Sequence, residues 1–294
     1  MSHLHAHTQS WSMLLAAVTV LLVITALVYL RGWLSLRNAF PNLIPGWRLA
    51  AFMSGLFSVW AAVASPLASL DHQSLTVHMM KHLLLMTVGA PLLLAGAPAF
   101  PLVCGLPKLF IQSHPLLGLP ARWFKGCLMH PGLCWLAGTV AVIGWHLPIA
   151  FQLGMRSPWV HHLEDLSFLV AGLLFWCPIV QSSPSAKRSL RWSVAFYLFF
   201  ATLPCDILSA FLVFCNRLVY PFYLSTPQLF SMAPLQDQEC AGALMWVWVT
   251  FAYLMPAVAI TVQMLSPRNT QTQEPMQGER RSSVGRSLNG AEVR

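Results

Sequence analysis

Long apolar stretches alternate with short polar connections along this chain. A helix needs about 20 apolar residues to cross the hydrocarbon core of a bilayer. Seven stretches meet or approach that length: 11–30, 48–66, 78–103, 132–151, 162–180, 192–215 and 241–265. The second is interrupted near its end by "SPLASLDHQS", the third holds Pro91 and Pro98, and the fourth holds Pro148, so kinks are expected there. The pattern predicts an all-α polytopic membrane protein, a bundle of seven transmembrane helices over 11–265. An outer tail, 1–10, precedes it and a polar tail, 266–294, rich in Pro, Gly and Ser, follows as a disordered segment. No internal repeat is visible, which weighs against a transporter built from inverted repeats.

Composition sharpens this picture. Only 9% of residues are charged, far from the roughly 25% of a soluble domain. The net charge of +8 would raise nucleic acid as a partner in a soluble chain. Here its distribution has a topological reading. Fourteen of the 17 basic residues fall in the first, third and fifth connections and the tail, among them Arg31, Arg37, Arg48, Lys108, Arg122, Lys125, Lys187, Arg188 and Arg191. Lys81, Arg156 and Arg217 are left for the opposite side. Basic connections stay in the cytoplasm, so the N-terminus is expected outside and the C-terminus cytoplasmic, with a lipid bilayer and no nucleic acid as partner. No Lys or Arg precedes the first apolar run, which reads as a retained helix and not a cleaved leader. Trp11, Trp33, Trp47, Trp159 and Trp192 fall where interfacial anchors belong.

With that topology the polar groups gather on one side. His3, His5, His7, His72, His78, His82, His161 and His162 lie at or beyond the outer boundary, and His146 approaches it. Every acidic residue before the tail falls in the outer half. His78 and His82 are spaced i, i+4, so both imidazoles share one helical face and can meet on one copper, zinc or iron ion. Lys81 reads as lying off that face, its ammonium reaching outward. His161 and Asp165 repeat the spacing. Asp165 or Asp206 can be a ligand or can hold the second ring N–H of a ligating imidazole. Met79, Met80 and Met86 supply soft thioethers suited to Cu(I), and Cys205 is a further soft donor. The seven cysteines contain no C-x-x-C pair. Cys215 and Cys240 flank the last outer loop, where a disulfide is chemically permitted.

The blocks "VHMMKHLLLMTVGAPLLLAGAP", "GWHLP", "HHLEDLSFLVAGLLFW" and "PLQDQECAGALMW", in this order on a seven-helix plan, resemble the bacterial CtaG-type assembly factors of caa-type cytochrome c oxidase over roughly residues 45–265. The resemblance implies a protein that matures a haem-copper oxidase by supplying copper on the outer side of the bacterial inner membrane. The matching positions are His78, His82, His146, His161 and Asp237. Members of that family commonly read H-x-x-E-H where this chain has His161, His162, Glu164 and Asp165. Either Asp165 replaces a ligand with a harder oxygen donor, or His162 has taken over.

The expected function is therefore copper handling without catalysis. His78, His82, His146 and His161 or His162 would hold copper as Cu(I), and Asp165, Asp206 and Asp237 would support or pass on the ion. A cytochrome c oxidase subunit and an outer-side copper chaperone are the expected partners. Two other classes stay open: a b-type haem protein with His146 paired to His78 or His82, and a metal or small-solute transporter with Asp206 on its path.

Overall fold

The computed structural model describes residues 2–39, 45–107, 130–180, 188–227, 229 and 232–265. The basic stretch from Lys108 to Lys125, Lys187, the tail 266–294 and the side chains of His3, His5 and His7 lie outside the described residues. The chain is all-α, with no strand among the described residues. Helix α1 (Ser2–Ala39) is followed by α2 (Gly46–Val63), α3 (Leu75–Leu83), α4 (Ala90–Ala95) and α5 (Ala99–Gly105). Then come α6 (Pro131–His146), α7 (Pro148–Arg156), α8 (Pro158–Val180), α9 (Arg188–Phe214), α10 (Pro234–Val249) and α11 (Met255–Leu265). The backbone is already helical at Ser2, so residues 2–10 continue the first helix. Six helices are long and apolar enough to cross a membrane, and a seventh crossing is made when α6 and α7 count as one bent span. This is a multi-pass membrane protein.

The prolines break the spans where chain chemistry requires it. Leu147 takes φ −63° and ψ 130°, the extended conformation a following proline imposes. Pro148 then starts α7 at 75° to α6. The expected continuous helix over 132–151 thus ends at His146. In the third span a π-helical turn, Leu84–Gly89, joins α3 to α4 just before Pro91, whose ring cannot donate to the turn preceding it. The apolar run 78–103 is broken again after Ala95. Ala97 sits there at φ 47°, and α5 turns away to lie against α1. That contact depends on two glycines: a Cβ on Gly32 would come within 1.8 Å of the Pro101 carbonyl oxygen, and one on Gly105 within 1.9 Å of that of Val28.

The central span, α3 through α4, packs against α2, α8 and α10, while α9 closes the far side against α10 and α11. Trp176 Nε1 donates to Met86 O at 2.9 Å and Trp248 Nε1 to Thr87 Oγ1 at 2.8 Å, so the π turn is held from both α8 and α10. Outward faces carry Leu21, Ile24, Leu27, Val140, Phe196, Ile207, Phe211 and Val247, all exposed, as surfaces that meet acyl chains must be. Trp47 and Trp159 are exposed as expected of anchors. Trp33 is instead buried in a cluster with Tyr29 and Phe52. Cys215 and Cys240 are free cysteines and form no disulfide.

Candidate metal centre

The centre is built at the start of α3, where the backbone is held from a distant span. Ser74 is the N-cap and its hydroxyl accepts from Val77 N–H. Asp237, in the first turn of α10, takes the remaining donors. Its Oδ2 accepts from Leu75 N at 2.6 Å, and its Oδ1 from Thr76 N at 3.2 Å, Ser74 Oγ at 2.9 Å and Thr76 Oγ1 at 2.7 Å. A carboxylate at a helix N-terminus both satisfies open N–H groups and opposes the positive end of the helix dipole. Through these bonds Asp237 aims the helix that carries His78 and His82. Asp237→Ala is expected to cost about 1–2 kcal/mol in the manner of a lost cap, read as a lower thermal midpoint in detergent. Asp237→Asn, which keeps one acceptor, should lose less.

One turn further on, His78 and His82 are both buried, their Nε2 atoms 2.9 Å apart. Phe168 stacks on His82 at 4.2 Å and Phe151 meets His78 edge-on at 5.2 Å, which fixes both rings. Glu164 Oε1, from α8, lies 3.4 Å from His78 Nε2 and 3.2 Å from His82 Nε2. Donors on a tetrahedral ion with bonds near 2.0–2.1 Å sit about 3.3 Å apart. Distances of 2.9, 3.2 and 3.4 Å approach that triangle with little movement. Gly154 of α7 makes room, since a Cβ there would come within 2.9 Å of Glu164 Oε2.

Beside this triad lies a buried charge cluster. Lys81 Nζ contacts Asp71 Oδ2 at 2.6 Å, Asp165 Oδ1 at 3.0 Å and His161 Nε2 at 2.6 Å. His161 Nε2 is also 2.8 Å from Asp71 Oδ2, and its Nδ1 faces Glu164 Oε2 at 3.4 Å. Lys81 is only 4% exposed, so the outward-reaching lysine is corrected. Residues i and i+3 share a face as i and i+4 do, and His78 carries Lys81 inward with it. In the connection between spans, burial alone would raise the Asp71 carboxyl. The His161 hydrogen bond and the charge of Lys81 outweigh burial and hold it well below the usual carboxylate range. Tyr223 donates to the Asp71 carbonyl at 2.8 Å, closing the cluster from the loop before α10. Three buried carboxylates, Asp71, Glu164 and Asp165, share the site with one ammonium, which pairs with Asp71 and Asp165. With neutral imidazoles, two negative charges remain in a buried site. Unpaired buried charge is costly, and a cation or protons on the histidines must offset it.

The sequence-derived residues separate accordingly. His78, His82, His161 and Asp165 meet in one cluster. Asp165 faces Lys81 at 3.0 Å and His82 Nδ1 only at 3.8 Å. His162 lines a pocket with Asp71, His72, Lys81 and Asp165. Glu164, between these two positions in sequence, is the carboxylate that stands beside both the His78 and His82 imidazoles. His146 lies apart, on the wall of a cavity it shares with His82. Asp206 is within hydrogen-bonding reach of Thr202 and joins no ion pair of the cluster. The cavity between His82 and His146 measures about 40 Å³, enough for an ion or a few waters and far too small for a porphyrin. Asp71, Lys81 and Glu164 are the participants that spacing alone did not single out.

The family model described as cytochrome c oxidase caa3 assembly factor matches residues 27–266. An uncharacterized protein of Mycobacterium bovis and one of Mycobacterium tuberculosis are each 24% identical over 248 residues, 82% of this chain and 37% of theirs. One from Mycobacterium leprae is 22% identical over 253 residues, with the same shares covered. The chain thus spans little more than a third of the length of these curated relatives. No solved structure matches it.

Proposed function

The chain belongs to the cytochrome c oxidase caa3 assembly factor family, and from that membership we propose that it holds copper at His78, His82 and Glu164 and supports its delivery to a haem-copper oxidase. The observation that carries this reading is the pair of imidazole nitrogens 2.9 Å apart with one carboxylate oxygen within 3.4 Å of both. Facing lone pairs repel unless a proton or a metal ion lies between them. Copper heads the divalent affinity order for such donors.

The reading extends to sidedness and partners. The distribution of basic residues along the sequence supports reading the centre as facing the outer side of a bacterial plasma membrane. Copper is then received from a soluble outer chaperone and passed to an oxidase subunit. The pocket lined by Asp71, His72, His161 and His162 is the entrance, its carboxylate and imidazoles offering donors to an ion on its way to the triad. The protein handles an ion and turns over no substrate.

Metal analysis of the detergent-purified chain after copper loading tests this. Wild type is expected to retain copper, and His78→Ala with His82→Ala to lose it together with oxidase maturation in cells. Unchanged copper content and unchanged oxidase activity in the double variant would end the proposal.

A further inference from the structure

His146 was grouped with the other imidazoles, yet its surroundings differ from theirs. Its Nδ1 is 2.6 Å from the Val142 carbonyl oxygen, an acceptor that only a ring N–H can satisfy. The proton therefore sits on Nδ1, and Nε2 carries a free lone pair. That Nε2 is buried and has no hydrogen-bond partner, on a residue only 8% exposed. A ligating histidine has this arrangement, with one nitrogen anchored to a carbonyl and the other open. His146 lines a cavity that Met79, Met86, Met245, Cys205 and His82 also line.

We propose that this cavity is a second, deeper position for a soft monovalent cation, held by His146 Nε2 and the neighbouring sulfur side chains. The proposal rests on the copper-handling reading and adds a place to it. Thioether, thiol and imidazole donors favour Cu(I) and Ag(I) over hydrated divalent ions. The cavity is otherwise lined by Leu83, Phe168 and Phe175. So apolar a shell disfavours a doubly charged ion and accepts a singly charged ion of low coordination number. His82 links the two positions: its Nε2 faces the outer triad, and its ring borders the inner cavity. An ion leaving His78 and Glu164 therefore has its next donors within the same span and in α6. The π turn after His82 places Met86 on this wall, next to Gly138 of α6, where a Cβ would come within 3.2 Å of the Met86 methyl.

The test uses Ag(I) with the full-length, detergent-purified chain, reading stoichiometry by mass spectrometry and donor type by X-ray absorption. Wild type is expected to bind about two ions per chain, one with sulfur neighbours. His146→Leu with Met245→Leu, conservative in volume, should lose one ion and weaken the sulfur signal. His78→Ala with Glu164→Gln should lose the other ion and keep the sulfur. Met86→Leu with Cys205→Ser is a second inner variant whose folding does not depend on altering His146. No sulfur scattering in wild type, with both inner variants keeping the wild-type stoichiometry, would overturn the inner position while leaving the outer triad intact. Loss only in the inner variants would uphold it and remove the triad instead.

Discussion

Lys81→Met is expected to destabilise the protein by about 3–5 kcal/mol, as removal of one partner from a buried ion pair does. Lys81 and Asp71 are 4% and 2% exposed, so solvent cannot take over the lost interaction. The variant leaves Asp71 and Asp165 facing imidazoles in place of an ammonium, His161 and His72 at 2.8 and 3.8 Å from Asp71 and His82 at 3.8 Å from Asp165. Thermal unfolding in detergent, followed by circular dichroism, should show a markedly lower midpoint. Adding Asp165→Asn to Lys81→Met should recover part of the loss, because it removes one of the stranded charges. A variant within about 1 kcal/mol of wild type, the worth of an exposed pair, would mean that Lys81 is not the hub of the cluster.

Glu164→Gln should weaken copper binding by about 100-fold or more, whereas Asp165→Asn should cost only about 10-fold, toward the lower end for a residue that orients a ligand. The amide keeps the size of Glu164 but removes the charge that faces both imidazoles at 3.4 and 3.2 Å. Asp165 acts through Lys81 and stands 3.8 Å from the nearer imidazole. Competition titrations of both variants against a Cu(I) chelator give the comparison. Equal losses, or a larger one at Asp165, would make Asp165 the third donor in place of Glu164.

The difference between these two neighbours marks where the sequence stops being legible. Among the described residues, apolar run lengths located the six candidate spans and the bent pair, because the bilayer sets that length irrespective of how helices pack. The i, i+4 spacing put His78 and His82 together, since both belong to one helix. Residues 161, 164 and 165 also share a face of α8, and either carboxylate is compatible with that face. The difference between them came from Lys81 on α3, which pairs with Asp165 as well as with Asp71 of the preceding connection, while Glu164 stands beside the imidazoles. That is a tertiary outcome with no local signature. The break at His146 was legible as a proline kink, but its 75° bend was not. Asp206 was singled out as a charge in an apolar helix, yet the packing of α9 gives it Thr202 and not the centre.

The clamp between Asp237 and the start of α3 has a consequence for timing. A chain inserted from its N-terminus carries His78, His82, His146, His161 and Glu164 in the bilayer well before residue 237 leaves the ribosome. At that stage every donor atom exists, but the helix bearing two of them begins in open N–H groups. The carboxylate that closes them, through a 2.6 Å bond to Leu75 N, arrives only with the last crossing. A nascent or truncated chain ending before Pro234 would therefore hold copper loosely, and firm retention of the ion would report that translation had run to the end of the bundle.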